Sequence, residues 1–174
     1  MGADVWLKRD DLNGVACGGN KVRKLEFLLG EAASIDADTL ITVGAPQSNH
    51  ARTVAAAAAM NGFECHLVLG GIPPSAPTGS LVADLLLGAR LHFAGSNDWD
   101  VLESHAGALA NDLRNEGWRP SVMPIGGSTP VEALGFVDAF LELMEQIPVV
   151  DLPRCTIVHA SSSGGTQAGL ELGR

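Results

Sequence analysis

The 174-residue chain is 46% hydrophobic and 18% charged, enough apolar residue to bury a core, so one domain or two small lobes are expected and disorder is excluded. Its net charge of -9 leaves no broad basic face, which excludes general binding to nucleic acid or to an anionic membrane surface. No apolar run is long enough to span a bilayer, and the opening MGADVWLKRDD has no signal-peptide core.

In chain order, residues 5–8 read as a short strand. Residues 20–33 read as a helix with Val22, Leu25, Leu28 and Leu29 on one face and Asn20 as its N-cap. Residues 39–43 form an apolar strand, GAPQSN a turn, and 51–60 an alanine-rich helix ended by Asn61-Gly62. A strand at 64–69 leads into the Pro/Gly/Ser loop 70–80, a helix at 81–87 and a strand at 91–94. A helix at 101–116, a strand at 121–125 and a helix from Pro130 to about Gln146 follow. Thr129-Pro130-Val131-Glu132 combines a capping box with proline at the first helical position. Residues 155–160 read as a last buried strand before SSSGGTQAGLELG, which opens a further helix. The alternation predicts an α/β fold, a mostly parallel sheet with helices on both faces.

Cys17, Cys65 and Cys155 lie far apart without a CxxC, so a reducing cytoplasm is expected rather than a disulfide framework. The five histidines have no zinc-site spacing, and no metal is expected. His66 and His92 fall in strand-like runs and read as fillers of core or surface.

Three segments carry possible chemistry. SSSGGTQAGL places small residues between an apolar run and a helix start, where free N–H groups and the positive helix end make an anion site, most naturally for phosphate; a plain turn of small residues has the same composition. CGGNKVRKLEF puts Lys21, Arg23 and Lys24 at a helix start, the wrong end for cations. The dipole, the neighbouring cations and partial burial all push the Lys21 pKa down, towards the neutral amine that Schiff-base chemistry requires. A solvated basic face is the alternative. In GAPQSNHAR, Ser48 and Asn49 lie at a helix start beyond a strand's carboxyl end, where ligands of α/β sheets bind, although a cap is the commonest role for Ser48. His50 reads as an exposed helix residue rather than a catalytic base.

Taken together, WLKRDDLNG, GGNKVRKLEF, QSNHAR, LLLGARL, MPIGGSTPVEALGFV and SSSGGTQAGL resemble the D-cysteine desulfhydrase/1-aminocyclopropane-1-carboxylate deaminase family, pyridoxal-phosphate enzymes of the tryptophan-synthase-β fold. The resemblance implies pyridoxal 5'-phosphate as cofactor, with Lys21 as its Schiff-base lysine and Lys24 near its phosphate. Ser163, Gly164, Gly165 and Thr166 would cradle that phosphate, Asn49 would bond the 3′-oxygen, and Ser48 would act beside the substrate as acid/base group or nucleophile. It implies a small amino acid as substrate: D-cysteine giving pyruvate, hydrogen sulfide and ammonia, or 1-aminocyclopropane-1-carboxylate giving 2-oxobutyrate and ammonia. Cysteate sulfo-lyases of the same family make a sulfonate leaving group a further option.

The resemblance also implies two lobes, a partial cofactor-anchoring lobe from residues 1–35 and 130–174 and a small α/β lobe from 36–129. Family members are longer. Their C-terminal part supplies the partner of the pyridine nitrogen and an aromatic that stacks on the ring, often tyrosine, and this chain has no tyrosine. Ser80 stands where many relatives have Asn. The site is therefore expected to be half present, with marginal stability or association with another chain, as a homo-oligomer or otherwise.

Overall fold

The computed structural model describes residues 2, 4–148 and 155–174, so parts of the expected anchoring lobe, residues 1, 3 and 149–154, lie outside the described residues. Four strands, β1 (Thr39–Gly44), β2 (Glu64–Leu69), β3 (Arg90–Phe93) and β4 (Pro120–Met123), form one parallel sheet in the order β3-β2-β1-β4. Among the described residues six α-helices accompany it: α1 (Asn20–Ser34), α2 (Asn49–Asn61), α3 (Ser80–Leu86), α4 (Trp99–Asn115), α5 (Pro130–Gln146) and α6 (Gly165–Gly173).

Strands buried on both faces read as continuous apolar runs, and every residue of β1 is buried. One face meets α1, α2 and α3: Leu40, Leu67 and Leu69 pack with Leu25, Leu28, Val54, Ala55, Ala58 and Leu81. The other face carries α4, with Ile41, Val43 and Val68 against Leu102, Ala106, Ala110 and Leu113. The helices thus cover both faces of a parallel sheet, as the alternation implied. None of the described helices is long and apolar enough to cross a membrane.

The sequence order turns at β1. The chain steps from β1 outward through β2 to β3, then returns through α4 to place β4 on the other side of β1. Such a switch point opens a crevice beyond the carboxyl ends of the strands, because the flanking connections leave in opposite directions.

Two expected strands are absent. Residues 5–8 and 155–160 are irregular, and Val5, Trp6, Leu7 and Val158 are largely exposed. A strand is stabilised by a neighbour that takes its N–H and C=O groups, and among the described residues neither segment has one. Two smaller expectations also fail. Gly19, at φ 111°, is the N-cap of α1 and Asn20 its first helical residue. β4 ends at Met123, where Pro124 leads into a 3-10 turn, Ile125–Gly127.

The two chain ends meet through helices. α5 packs on both α1 and α6. Glycines set the approach: a Cβ on Gly135 would collide with the Arg23 carbonyl, and one on Gly169 with the Ala133 carbonyl and Phe136. Gly173 sits likewise on the Phe140 ring. Gly165, Gly169 and Gly173 share one face of α6 by their four-residue spacing, so this face has no side chains to hold α5 away.

Candidate active site

Lys21, Ser48, Asn49, Gly126 and Trp99 line one cleft of about 280 Å³ at the carboxyl ends of β1 and β4. Its walls follow from the switch point. The loop after β1 ends at Ser48, whose Oγ accepts the Ala51 N–H at 3.2 Å and caps α2. Gly44 permits this turn, since a Cβ there would stand 2.8 Å from that of Ser48. Gln47 ties the wall to loop 70–80: its Nε2 donates to the Thr78 carbonyl at 3.0 Å and its Oε1 accepts the Ser80 N–H at 2.9 Å. Asn49 opens α2 with an exposed side chain.

Lys21 enters from α1, and its Nζ donates to the Gly126 carbonyl at 3.1 Å. Burial is the main force lowering its pKa; the Lys24 ammonium lowers it further and the Glu132 carboxylate opposes both. The cations crowding this helix start each have a destination. Arg23 turns away to Asp10 at 2.9 Å and Glu142 at 2.8 Å. Lys24, 2% exposed, pairs with the fully buried Glu132 and lies 5.8 Å from the Phe136 ring centre. Of Arg23 and Lys24, it is therefore Lys24 that acts on the Lys21 amine. The turn before α1 is strained as well: Ala16 and Cys17 hold positive φ angles of 45° and 67° ahead of Gly18 and Gly19.

The SSSGGT loop reaches the same place. Gly126 has no side chain, and a Cβ on it would lie 3.5 Å from both Lys21 Nζ and Ser163 Oγ. Gly164, left-handed at φ 84°, is the N-cap of α6, and no side chain caps that helix. Thr166 is the second residue of α6. Gly165 packs directly on the Lys24–Glu132 pair.

Two residues of the site escaped the sequence reading. His50 is not an exposed helix residue: it is 4% exposed, with Nε2 3.0 Å from Thr42 Oγ1. The Thr42 hydroxyl donates to the Met123 carbonyl at 3.0 Å, so the imidazole must donate to Thr42 and carries its proton on Nε2. Burial, with Lys21 and Lys24 adding to it, pulls the His50 pKa down to about 3. α2 is buried almost all round, and its alanine-rich run was the signal. Glu132 was assigned to the capping box. Thr129 Oγ1 does accept the Glu132 N–H at 3.1 Å, but the carboxylate turns inward to Lys24 instead of back to the helix start.

The histidine fillers are a pair. His66 is buried, its ring stacked on that of His92 at 5.1 Å with Nδ1 3.0 Å from the partner's Nε2.

Comparison with known proteins bears on the family and the fold. Residues 1–174 match the family model described as pyridoxal-phosphate dependent enzyme. The mitochondrial bifunctional D-cysteine desulfhydrase/1-aminocyclopropane-1-carboxylate deaminase of Arabidopsis thaliana is 40% identical over 181 residues, which cover 99% of this chain and 45% of that one. The D-cysteine desulfhydrase of Salmonella typhi is 40% identical, covering 99% and 53%. A solved structure described as an ACC deaminase homologue superposes with a TM-score of 0.87 at 44% identity, covering 95% and 50%. A cysteine synthase from Entamoeba histolytica, at 15% identity and a TM-score of 0.66, shares the fold. The chain spans about half the length of the curated relatives it matches. A half-buried lysine at the switch point, a glycine-rich helix start beside it and a family match running from first residue to last lead to one conclusion: this chain belongs to the pyridoxal-phosphate-dependent enzymes.

Proposed function

We propose that the cleft holds pyridoxal 5'-phosphate and forms part of a lyase or deaminase acting on a small amino acid. The relatives' names supply the substrates: D-cysteine, or 1-aminocyclopropane-1-carboxylate. The observation that carries the reading is the convergence of Lys21 Nζ and Ser163 Oγ on the bare face of Gly126.

The residues present fit the cofactor. Lys21 offers an amine whose protonated form burial disfavours and whose one hydrogen-bond partner among the described residues is a backbone carbonyl. Ser163, Gly164, Gly165 and Thr166 present a helix start without a side-chain cap, suited to the phosphate, and Lys24 lies buried beneath it. Asn49, exposed at the cleft, is suited to the 3′-oxygen. When bound, the cofactor supplies an electron sink for negative charge at the substrate Cα. The protein's part is to place and move protons there. Lys21, once free, would move a proton at Cα of D-cysteine, or near Cα in the cyclopropane substrate, whose Cα carries no hydrogen. Ser48 accepts from Ala51, which leaves its hydroxyl hydrogen free to donate towards substrate. The Gln47 clamp fixes the loop carrying both Ser48 and Asn49.

The lobe division belongs to the same reading. Residues 1–35 and 130–174 anchor the cofactor and 36–129 form the smaller lobe; the packing of α5 on both α1 and α6 supports this. The exposed segments around Trp6 and Val158 support association with further polypeptide. The half-length match favours a second reading, a chain that binds the cofactor and turns over nothing by itself.

Borohydride reduction after adding pyridoxal phosphate, followed by peptide mass spectrometry, tests the assignment. A pyridoxyl group on Lys21 that disappears in Lys21→Ala is expected. Absence of any adduct overturns it. Release of pyruvate from D-cysteine or of 2-oxobutyrate from the cyclopropane substrate then separates an active chain from a binding one.

A further inference from the structure

The buried ion pair beneath α6 has a consequence for ligand binding. Glu132 Oε1 and Oε2 lie 3.0 and 2.7 Å from Lys24 Nζ, with Glu132 fully buried. Only Oε1 receives a well-directed hydrogen bond; Oε2 is an incompletely satisfied buried acceptor. Lys24 comes from α1, Glu132 from the first turn of α5, and Gly165 of α6 closes over both. A Cβ at 165 would overlap the carboxylate and stand 2.8 Å from the ammonium. So α6 begins against an internal anion. The cation nearest this helix start is already neutralised by that anion.

A phosphate held by Ser163–Thr166 brings close to two negative charges to the same place. It needs Lys24, and it repels Glu132. We infer that Glu132 is a positioning residue which keeps Lys24 seated beneath the start of α6 and competes with the cofactor's phosphate for the Lys24 ammonium, thereby setting how tightly the cofactor binds. This rests on the reading of SSSGGT as the phosphate cradle. A purely structural ion pair would behave differently: removing one partner leaves the other buried and uncompensated, which costs stability and does nothing for ligand affinity.

The test titrates inorganic phosphate and pyridoxal phosphate separately, at fixed pH and salt, into the chain and its Glu132→Gln, Lys24→Met and Lys24→Met/Glu132→Gln variants. Calorimetry gives the dissociation constants. Glu132→Gln is expected to bind both ligands about tenfold tighter, equivalent to about 1.4 kcal/mol. Its unliganded form is expected to melt lower than the parent and to regain more on adding phosphate. The gain is expected to vanish in the Lys24→Met background. Equal or weaker binding by Glu132→Gln, or a gain that survives without Lys24, overturns the inference. If Glu132→Gln does not fold, carboxyl-carbon NMR of the unaltered chain decides instead, with the Glu132 signal identified by its loss in Glu132→Asp. That signal should move on adding phosphate, and a stationary signal overturns the inference. Should borohydride place the pyridoxyl group on Lys21 while Glu132→Gln binds no tighter, the inference alone falls. If the parent chain forms no adduct and binds no phosphate, the functional reading falls and takes the inference with it.

Discussion

The sheet side and the helical side of this molecule are held together by different physics. Between β1, β2 and α2 the contacts are mostly aliphatic, with Leu40, Val54, Ala55, Leu67 and Leu69 at 0% exposure and the His50–Thr42 hydrogen bond at their edge. Where α1, α5 and α6 meet, the contacts are a buried Lys24–Glu132 pair and backbone pressed on bare glycine. The first kind is non-directional and scales with the area buried. The second depends on geometry at single atoms, and it lies directly under the candidate phosphate site. The cleft thus takes its rigidity from one region and its charges from the other.

The largest expected effect comes from breaking the sheet side. Leu40→Ala removes a fully buried side chain from β1 and should cost about 2–5 kcal/mol, read as a lower urea midpoint with unchanged slope. Gly169→Val tests the other region. Its side chain would meet the Ala133 carbonyl and stand 2.5 Å from Phe136 Cβ, so α6 must move away, at about 1–3 kcal/mol. Hydrogen exchange separates the two cases. In Gly169→Val, amides of α6 should lose protection while those of β1 and β2 keep it. Equal loss in both would mean that the two regions open as one unit and that the contrast drawn between them is one of chemistry only.

What could be read from the sequence divides along the same line. The paired strands were legible because each is an apolar run closed by turn residues, and β2 falls on residues 64–69 as expected. Residues 5–8 and 155–160 have the same local character but are no strands, because strand formation depends on a neighbour that local sequence does not reveal. In the candidate site, Lys21, Ser48 and Asn49 were singled out and do share one cleft, since a loop beyond a strand's carboxyl end is a local feature. The burial of His50 was signalled by the alanine-rich run around it but not read, whereas the inward turn of Glu132 was not legible, because a charge's partner is set by tertiary packing: Glu132 lies 108 positions along the chain from Lys24. The four-residue glycine spacing of α6 was visible in GGTQAGLELG. Its meaning as a packing face needed α5 beside it.

His50 sits where the two regions join, and its titration sharpens the comparison with the smallest expected effect. Its ring bonds Thr42 on β1; burial is the main force against its charged form, and Lys21 and Lys24 of α1 add to it. Its folded-state pKa is depressed from 6.5 to about 3, so between these values the unfolded chain binds a proton that the folded chain refuses. The stability it contributes is therefore complete above about pH 6.5 and drains away as the pH falls towards 3, with a slope of at most about 1.4 kcal/mol per pH unit. His66, lowered to about 4 mainly by burial, adds an acid-side loss of the same sign. His50→Gln retains a donor for Thr42 and removes the titration, leaving the His66 contribution in place. Urea unfolding of both proteins at a series of pH values should give curves that diverge as the pH falls below about 6.5, the variant losing stability more slowly. Parallel curves would show that the imidazole is protonated alike in the folded and unfolded chains, and with it that neither burial nor the charges of α1 keep it neutral.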